Sequence, residues 1–117
     1  EIQGALKIKK KFPDTKLLFV TAPSAGILKD RLIGRGTETP DVVNARLSRA
    51  YEESLGVEEY DYLIVNDVLD DAVDLIDNII TAENSNQKEA VAAHTITSNL
   101  DFINNMRNEL LSFSKGE

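Results

Sequence analysis

The sequence predicts an α/β protein with a parallel sheet, on three observations. Two short unbroken apolar runs, Leu17 to Val20 and Tyr62 to Val65, have the pattern of strands buried on both faces. Helix-forming segments lie between these runs and after the second one. Start and stop residues for those helices sit where the rhythm strand, helices, strand, helix needs them. Two strands are few for a sheet covered on both faces, so the 117 residues read as the C-terminal part of a larger domain.

Each element has its local reason. "GALKIKKKFPD" opens as a short helix and stops at Pro13-Asp14, with Lys9 to Lys11 read as a solvated face. Pro23 ends the first apolar run, and Ser24 is placed to cap the helix that carries Arg31 and Arg35. Gly34 and Gly36 break that helix. Thr39 caps the next, with Pro40 at its first position and Asp41 set against the helix dipole. Val43, Leu47 and Ala50 give it an apolar face.

After "YLIV" the chain turns through Asn66-Asp67 into a helix with Val73, Ile76, Ile79 and Ile80 on one side. Asp71, Asp74 and Asp77 fall on the other. "ENSNQKEA" is a polar connector. Beyond it Leu100, Ile103, Met106, Leu110 and Phe113 recur at steps of three and four, the mark of an amphipathic helix packing on the core. Ser98 and Asp101 read as its capping pair.

Composition excludes several classes. No apolar run approaches the ~18 residues that a membrane span needs, and no secretory signal pattern is present. The absence of cysteine rules out a disulfide framework and thiolate metal sites, and fits a cytoplasmic setting. The lone histidine, His94, has no neighbouring ligand residues, so no direct metal site is expected. The net charge of -7 is unevenly spread: residues 1–50 carry 10 basic and 5 acidic side chains, residues 51–117 carry 3 and 15. A basic half on an acidic chain points to a local anion site. Nucleic acid is not the expected partner, because the 3 tyrosines and 4 phenylalanines form no stacking platform.

Arg31 and Arg35 project from one face of a helix, and Arg46 follows after a glycine-rich turn that lets the second helix fold back. Two readings stand. The arginines are scattered surface groups pairing with Asp30, Glu38 or Glu53, or they converge on an anion. Planar, permanently charged guanidiniums suit phosphate oxygens and the charge on a transferring phosphoryl group. The glycines would suit a hinged flap.

"RLIGRGTET", "ARLSRA" and "YDYLIVND", in that order, resemble the C-terminal half of a bacterial guanylate kinase, and "QGALKIKKKFP" matches the family as well. The likeness covers residues 1 to about 82. It implies a partial P-loop nucleoside-monophosphate-kinase fold: residues 1–22 and 57–82 in the core, 23–56 as a helical lid, 83–117 as connector and added helix. It further implies that Arg31, Arg35 and Arg46 bind ATP phosphates, with Arg35 and Arg46 acting on the transferring γ-phosphoryl. Asn66 would lie beside the adenine, just past the carboxyl end of a strand, where such sheets place ligands. "EIQG" stands where the family has "DxQG", which puts Glu1 near the metal and acceptor. Mg²⁺ would come with ATP, and GMP would be the acceptor.

The departures shape the expectation for function. None of the 6 glycines precedes a lysine, so "GxxxxGK[ST]" is absent, and the GMP-binding arm is absent too. The leading reading is therefore the C-terminal portion of a guanylate kinase, inactive by itself and partnered by the missing N-terminal half of the same domain. Self-association through unpaired strand edges is the further expectation. The alternative is a non-catalytic guanylate-kinase-like module that binds a protein.

Overall fold

In the computed structural model, which describes residues 2–36 and 39–114, helices dominate and a small parallel sheet sits among them. Helix α1 (Ile2–Lys11) leads to strand β1 (Leu18–Thr21), and helices α2 (Ala25–Gly34) and α3 (Pro40–Ser54) form a hairpin between the strands. A 3₁₀ turn at Val57–Glu59 precedes strand β2 (Tyr62–Val65), followed by helix α4 (Leu69–Asn84). Two more 3₁₀ segments, Lys88–His94 and Thr97–Asn99, run into helix α5 (Leu100–Ser114). This is a partial α/β nucleotide-kinase fold.

The caps follow their local chemistry. Ser24 Oγ accepts the Ile27 N–H at 3.1 Å to start α2, and Thr39 Oγ1 accepts the Val42 N–H at 3.4 Å to start α3. At the other end of α2, Gly36 takes φ +67°, the left-handed conformation that glycine adopts without a Cβ penalty. Arg35 caps the helix with helical dihedrals. Helix α5 departs from expectation. Ser98 does not cap it; its hydroxyl donates to the Ala92 carbonyl at 2.9 Å. Thr95 Oγ1 accepts the Ser98 N–H instead, because the chain is already helical at Ile96, one turn upstream.

Strands β1 and β2 pair in parallel, Leu18 with Tyr62 through Thr21 with Val65. One face packs Tyr62 and Ile64 against Ala72, Ile79 and Ala82 of α4 and against Val91. The opposite face packs Leu63 against Val57, Ile96 and Ile103 of α5, with Phe19 and Phe102 at the margin. A third cluster joins Leu32 of α2, Val43 and Leu47 of α3, and Met106 and Leu110 of α5. The tail helix thus packs on the sheet and, over most of its length, on the hairpin.

Three expectations about burial are corrected. Val20 is 53% exposed, so β1 is not covered on both faces: α4 lies over β2, and β1 has a strand on one side only among the described residues. Val73 and Ile80 of α4 are exposed; Ile76 and Ile79 do face the core, where they pack with Leu75, Ala72 and Ala82. Ala72 and Ala82 share the inward face with Ile79, and Val73 and Ile80 fall on the arc of the helix beside it. Lys9 is not simply solvated: its Nζ lies 2.6 Å from Asp61 Oδ2, which also accepts the Leu17 N–H at 2.8 Å. That carboxylate binds α1 to the start of β1.

Candidate functional site at the carboxyl ends of the strands

Both strands of a parallel pair end on the same side, and loops gather there. Here β1 runs into Ala22-Pro23 and the hairpin, while β2 runs into Asn66-Asp67 and α4. The Asn66 N–H donates to the Thr21 carbonyl at 2.7 Å, which extends the ladder by one bond and fixes the loop after β2 on the end of β1.

Arg31 comes down onto this loop from α2. Its Nη1 donates to the Asn66 carbonyl at 2.8 Å, and its Nη2 lies 3.4 Å from the Asp67 carbonyl and 3.7 Å from Asp67 Oδ1. The fork of the guanidinium spans two successive carbonyls, a geometry that a lysine cannot reproduce. The Arg31 side chain is 40% exposed and that of Asp67 75%, so water reaches the contact from outside. Two of the residues singled out in the sequence, Arg31 and Asn66, are therefore in direct contact.

The others stand apart from that contact. Arg35 is exposed at the C-cap of α2, and Arg46 is exposed on α3 and has an interaction of its own. Glu53, one of the acids weighed as an arginine partner, is 3.4 Å from Arg49 in the same helix. Glu1 lies outside the described residues. His94 closes a 3₁₀ segment, and no group of three or more His, Cys, Asp or Glu among the described residues could hold a metal.

The carboxylates around the sheet are already engaged by the protein. Asp61 takes Lys9 and the Leu17 amide, Asp67 faces Arg31, and Glu83 accepts the Tyr62 hydroxyl at 2.7 Å. Burial raises the Tyr62 phenol to about 12, and the Glu83 carboxylate adds to the shift by favouring the neutral donor. Tyr60, edge-on to Phe19 with ring centroids 5.3 Å apart, is also raised, by burial first and by Glu53 second.

One functional candidate escaped the sequence. Arg107 of α5 donates through Nε to the Ser54 carbonyl at 3.0 Å, and its Nη2 contacts both that carbonyl and the Glu58 carboxylate. Its only signal was rarity, as one of 3 basic residues among the last 67.

Comparison with known proteins gives this geometry a setting. A sequence model described as guanylate kinase matches residues 1–83. The chain is 42% identical over 91 residues to the guanylate kinase of Halalkalibacterium halodurans, covering 78% of this chain and 45% of that one. Against the guanylate kinase of Streptococcus agalactiae serotype III it is 40% identical over 95 residues, covering 81% and 46%. Against that of Streptococcus thermophilus strain CNRZ 1066 the identity is 46% over 83 residues, covering 71% and 40%. The chain therefore spans less than half the length of these relatives. The contact between Arg31 and Asn66 and all but the last residue of helix α4 fall inside the matched span, α5 lies beyond residue 83, and the chain belongs to the guanylate kinase family.

Proposed function

We propose that this chain supplies the lid and C-terminal core of a guanylate kinase, which moves the γ-phosphoryl of ATP onto GMP. The lid is residues 23–56, essentially the α2–α3 hairpin. The observation that carries this reading is the tie from Arg31 to the Asn66 carbonyl: a hairpin with cationic side chains rests on the loop where the strands end. In the reaction an oxygen of the GMP phosphate attacks the γ-phosphorus. The bond to the β–γ bridging oxygen breaks, and ADP leaves with those electrons.

The protein's part is to position, exclude water and neutralise charge. Arg31 in this role exchanges its carbonyl partners for a phosphate oxygen, and Asn66 beside it offers an amide edge to the adenine. Arg35 and Arg46 meet the charge that grows on the transferring group. Mg²⁺ belongs with the ATP phosphates. The described residues do not fit a resident cation, since Asp61, Asp67 and Glu83 each face a donor of the protein itself.

The direct test is an assay of the 117-residue chain with Mg·ATP and GMP. No GDP is expected, because no backbone cradle with a P-loop lysine is in the sequence. Adding the N-terminal half of a related kinase restores turnover if the proposal holds. In that reconstituted enzyme Arg46→Ala lowers kcat by about a hundredfold, the loss seen when one transition-state donor is removed. A rise in the ATP KM alone would make Arg46 a ground-state anchor. GDP from the chain by itself would overturn the reading of it as a partial enzyme, and no nucleotide effect in the mixture would leave the non-catalytic protein-binding module as the better reading.

A further inference from the structure

The hairpin enters through Pro23-Ser24 and leaves through Ser54-Leu55-Gly56, and α5 borders both segments. A hollow of about 180 Å³ lies between Pro23, Ser24 and the α5 residues Phe102, Asn105 and Met106. A second, of about 20 Å³, lies where Ser54 and Val57 meet Phe102, Ile103 and Met106. Phe102 packs against the hairpin cluster and the sheet cluster alike. Any rotation of the hairpin relative to the sheet must slide across this helix.

Arg107 bridges the same boundary. On one side it holds the Ser54 carbonyl, the end of α3; on the other it meets Glu58, in the turn that leads into β2. The last turn of α3 needs that help. It contains no basic residue, while Glu52 and Glu53 place negative charge at the negative end of the helix dipole. The missing cation arrives from another helix. If the hairpin swings, Ser54 moves with α3 and Glu58 stays with the core, so the guanidinium cannot keep both partners.

From this geometry we infer that α5 is a strap that sets the angle of the α2–α3 hairpin, with Arg107 as its positioning residue. Opening the hairpin requires Arg107 to release Ser54 or Glu58. The functional weight of that release rests on the lid reading above; the mechanical part does not. Helix α5 lies outside residues 1–83, the span matched by the family, so the strap is a feature of this chain's tail.

The chain has no cysteine, so a spin-label pair can be introduced cleanly at Asn44→Cys on α3 and Asp77→Cys on α4, both exposed. Pulsed electron resonance should give one narrow distance distribution in the parent. Arg107→Ala should broaden or shift it, and raise amide exchange at Ser54–Val57 by at least about tenfold, with α4 protection unchanged. Arg107→Lys, which keeps charge without the fork, should fall between. Should Arg107→Ala unfold the whole chain, Glu58→Gln decides, since it cuts only the core-side contact: broadening supports the strap. A distribution that overlays the parent in both variants overturns it. Adding Mg·ATP to Arg107→Ala mixed with the N-terminal half of a related kinase separates the two readings. A nucleotide-driven shift supports lid and strap together; broadening without any response to ATP keeps the strap and sinks the phosphate clamp.

Discussion

Two guanidiniums tie the α2–α3 hairpin to the rest of the chain with the same chemistry in different surroundings. Arg31 and Arg107 each bind a backbone carbonyl and a carboxylate on a different element. The Arg31 side chain is 40% exposed and its carboxylate partner 75%, against 17% and 48% for Arg107 and Glu58. Coulomb attraction between exposed groups is screened and costs little to give up, whereas loss of the largely buried Arg107 guanidinium strips the carbonyl of buried Ser54 of its donor. The hairpin is thus held loosely at the end facing the candidate nucleotide site and firmly at the end facing the tail. Under the strap proposed above, Arg31 is the tie given up first and Arg107 the one whose release limits the swing.

The largest effect should come from the packing behind the firm end. Leu47 is fully buried between α3 and α5, and Leu47→Ala should cost about 2–5 kcal/mol in a urea titration. Leu110→Ala across the seam should cost about as much, and the double variant less than the sum, because the two share one cavity. Additive losses would show that α5 and the hairpin do not form one core, and the comparison would lose its firm side.

Next in size is Arg107→Ala, expected to cost about 1.5–3 kcal/mol as the loss of hydrogen bonds from a charged donor. Arg31→Ala should cost about 1 kcal/mol or less. The contrast sharpens in 1 M salt, where screening acts within about 3 Å: the Arg31 difference should vanish and that of Arg107 persist. Equal costs for the two, or equal salt sensitivity, would break the comparison outright.

The last effect, seen only at high pH, concerns Tyr62, away from both ties. Its folded phenol titrates near 12, above the ordinary value of 10.0, so the folded state keeps a proton that the unfolded chain sheds. That contribution is complete below pH about 10 and is lost as pH rises from about 10 toward 12. Melting followed from pH 9 upward should fall less steeply in Tyr62→Phe than in the parent. Parallel curves would mean that the hydrogen bond to Glu83 is not kept in solution.

Local chemistry was the legible part of this molecule. Ser24 and Thr39 cap where their hydroxyls precede helical segments, and both strands stand where apolar runs are continuous, because these features depend on neighbours in sequence. Faces were less legible. In α4 the large residues Val73 and Ile80 drew the predicted stripe toward themselves, while the inward face is shared by Ile76 and Ile79 with Ala72 and Ala82. The cap of α5 was misread by one turn because Thr95 and Ser98 offer the same hydroxyl. At the candidate site Arg31 meets the backbone carbonyl of Asn66, a contact that neither spacing nor resemblance anticipated. Arg107 was invisible, since its partners Ser54 and Glu58 lie across the fold and no spacing rule links them.

The position of α5 along the chain also bears on how the molecule assembles. Leu32, Val43 and Leu47 emerge from a ribosome well before Met106 and Leu110, with a strand and a helix still to be made between them. Until α5 arrives, the hairpin displays an apolar face with nothing to cover it, and closing a loop of that length is entropically slow. The nascent chain therefore passes through an interval in which its helices exist without a finished core. That face is covered only once α5 has formed and docked onto the hairpin.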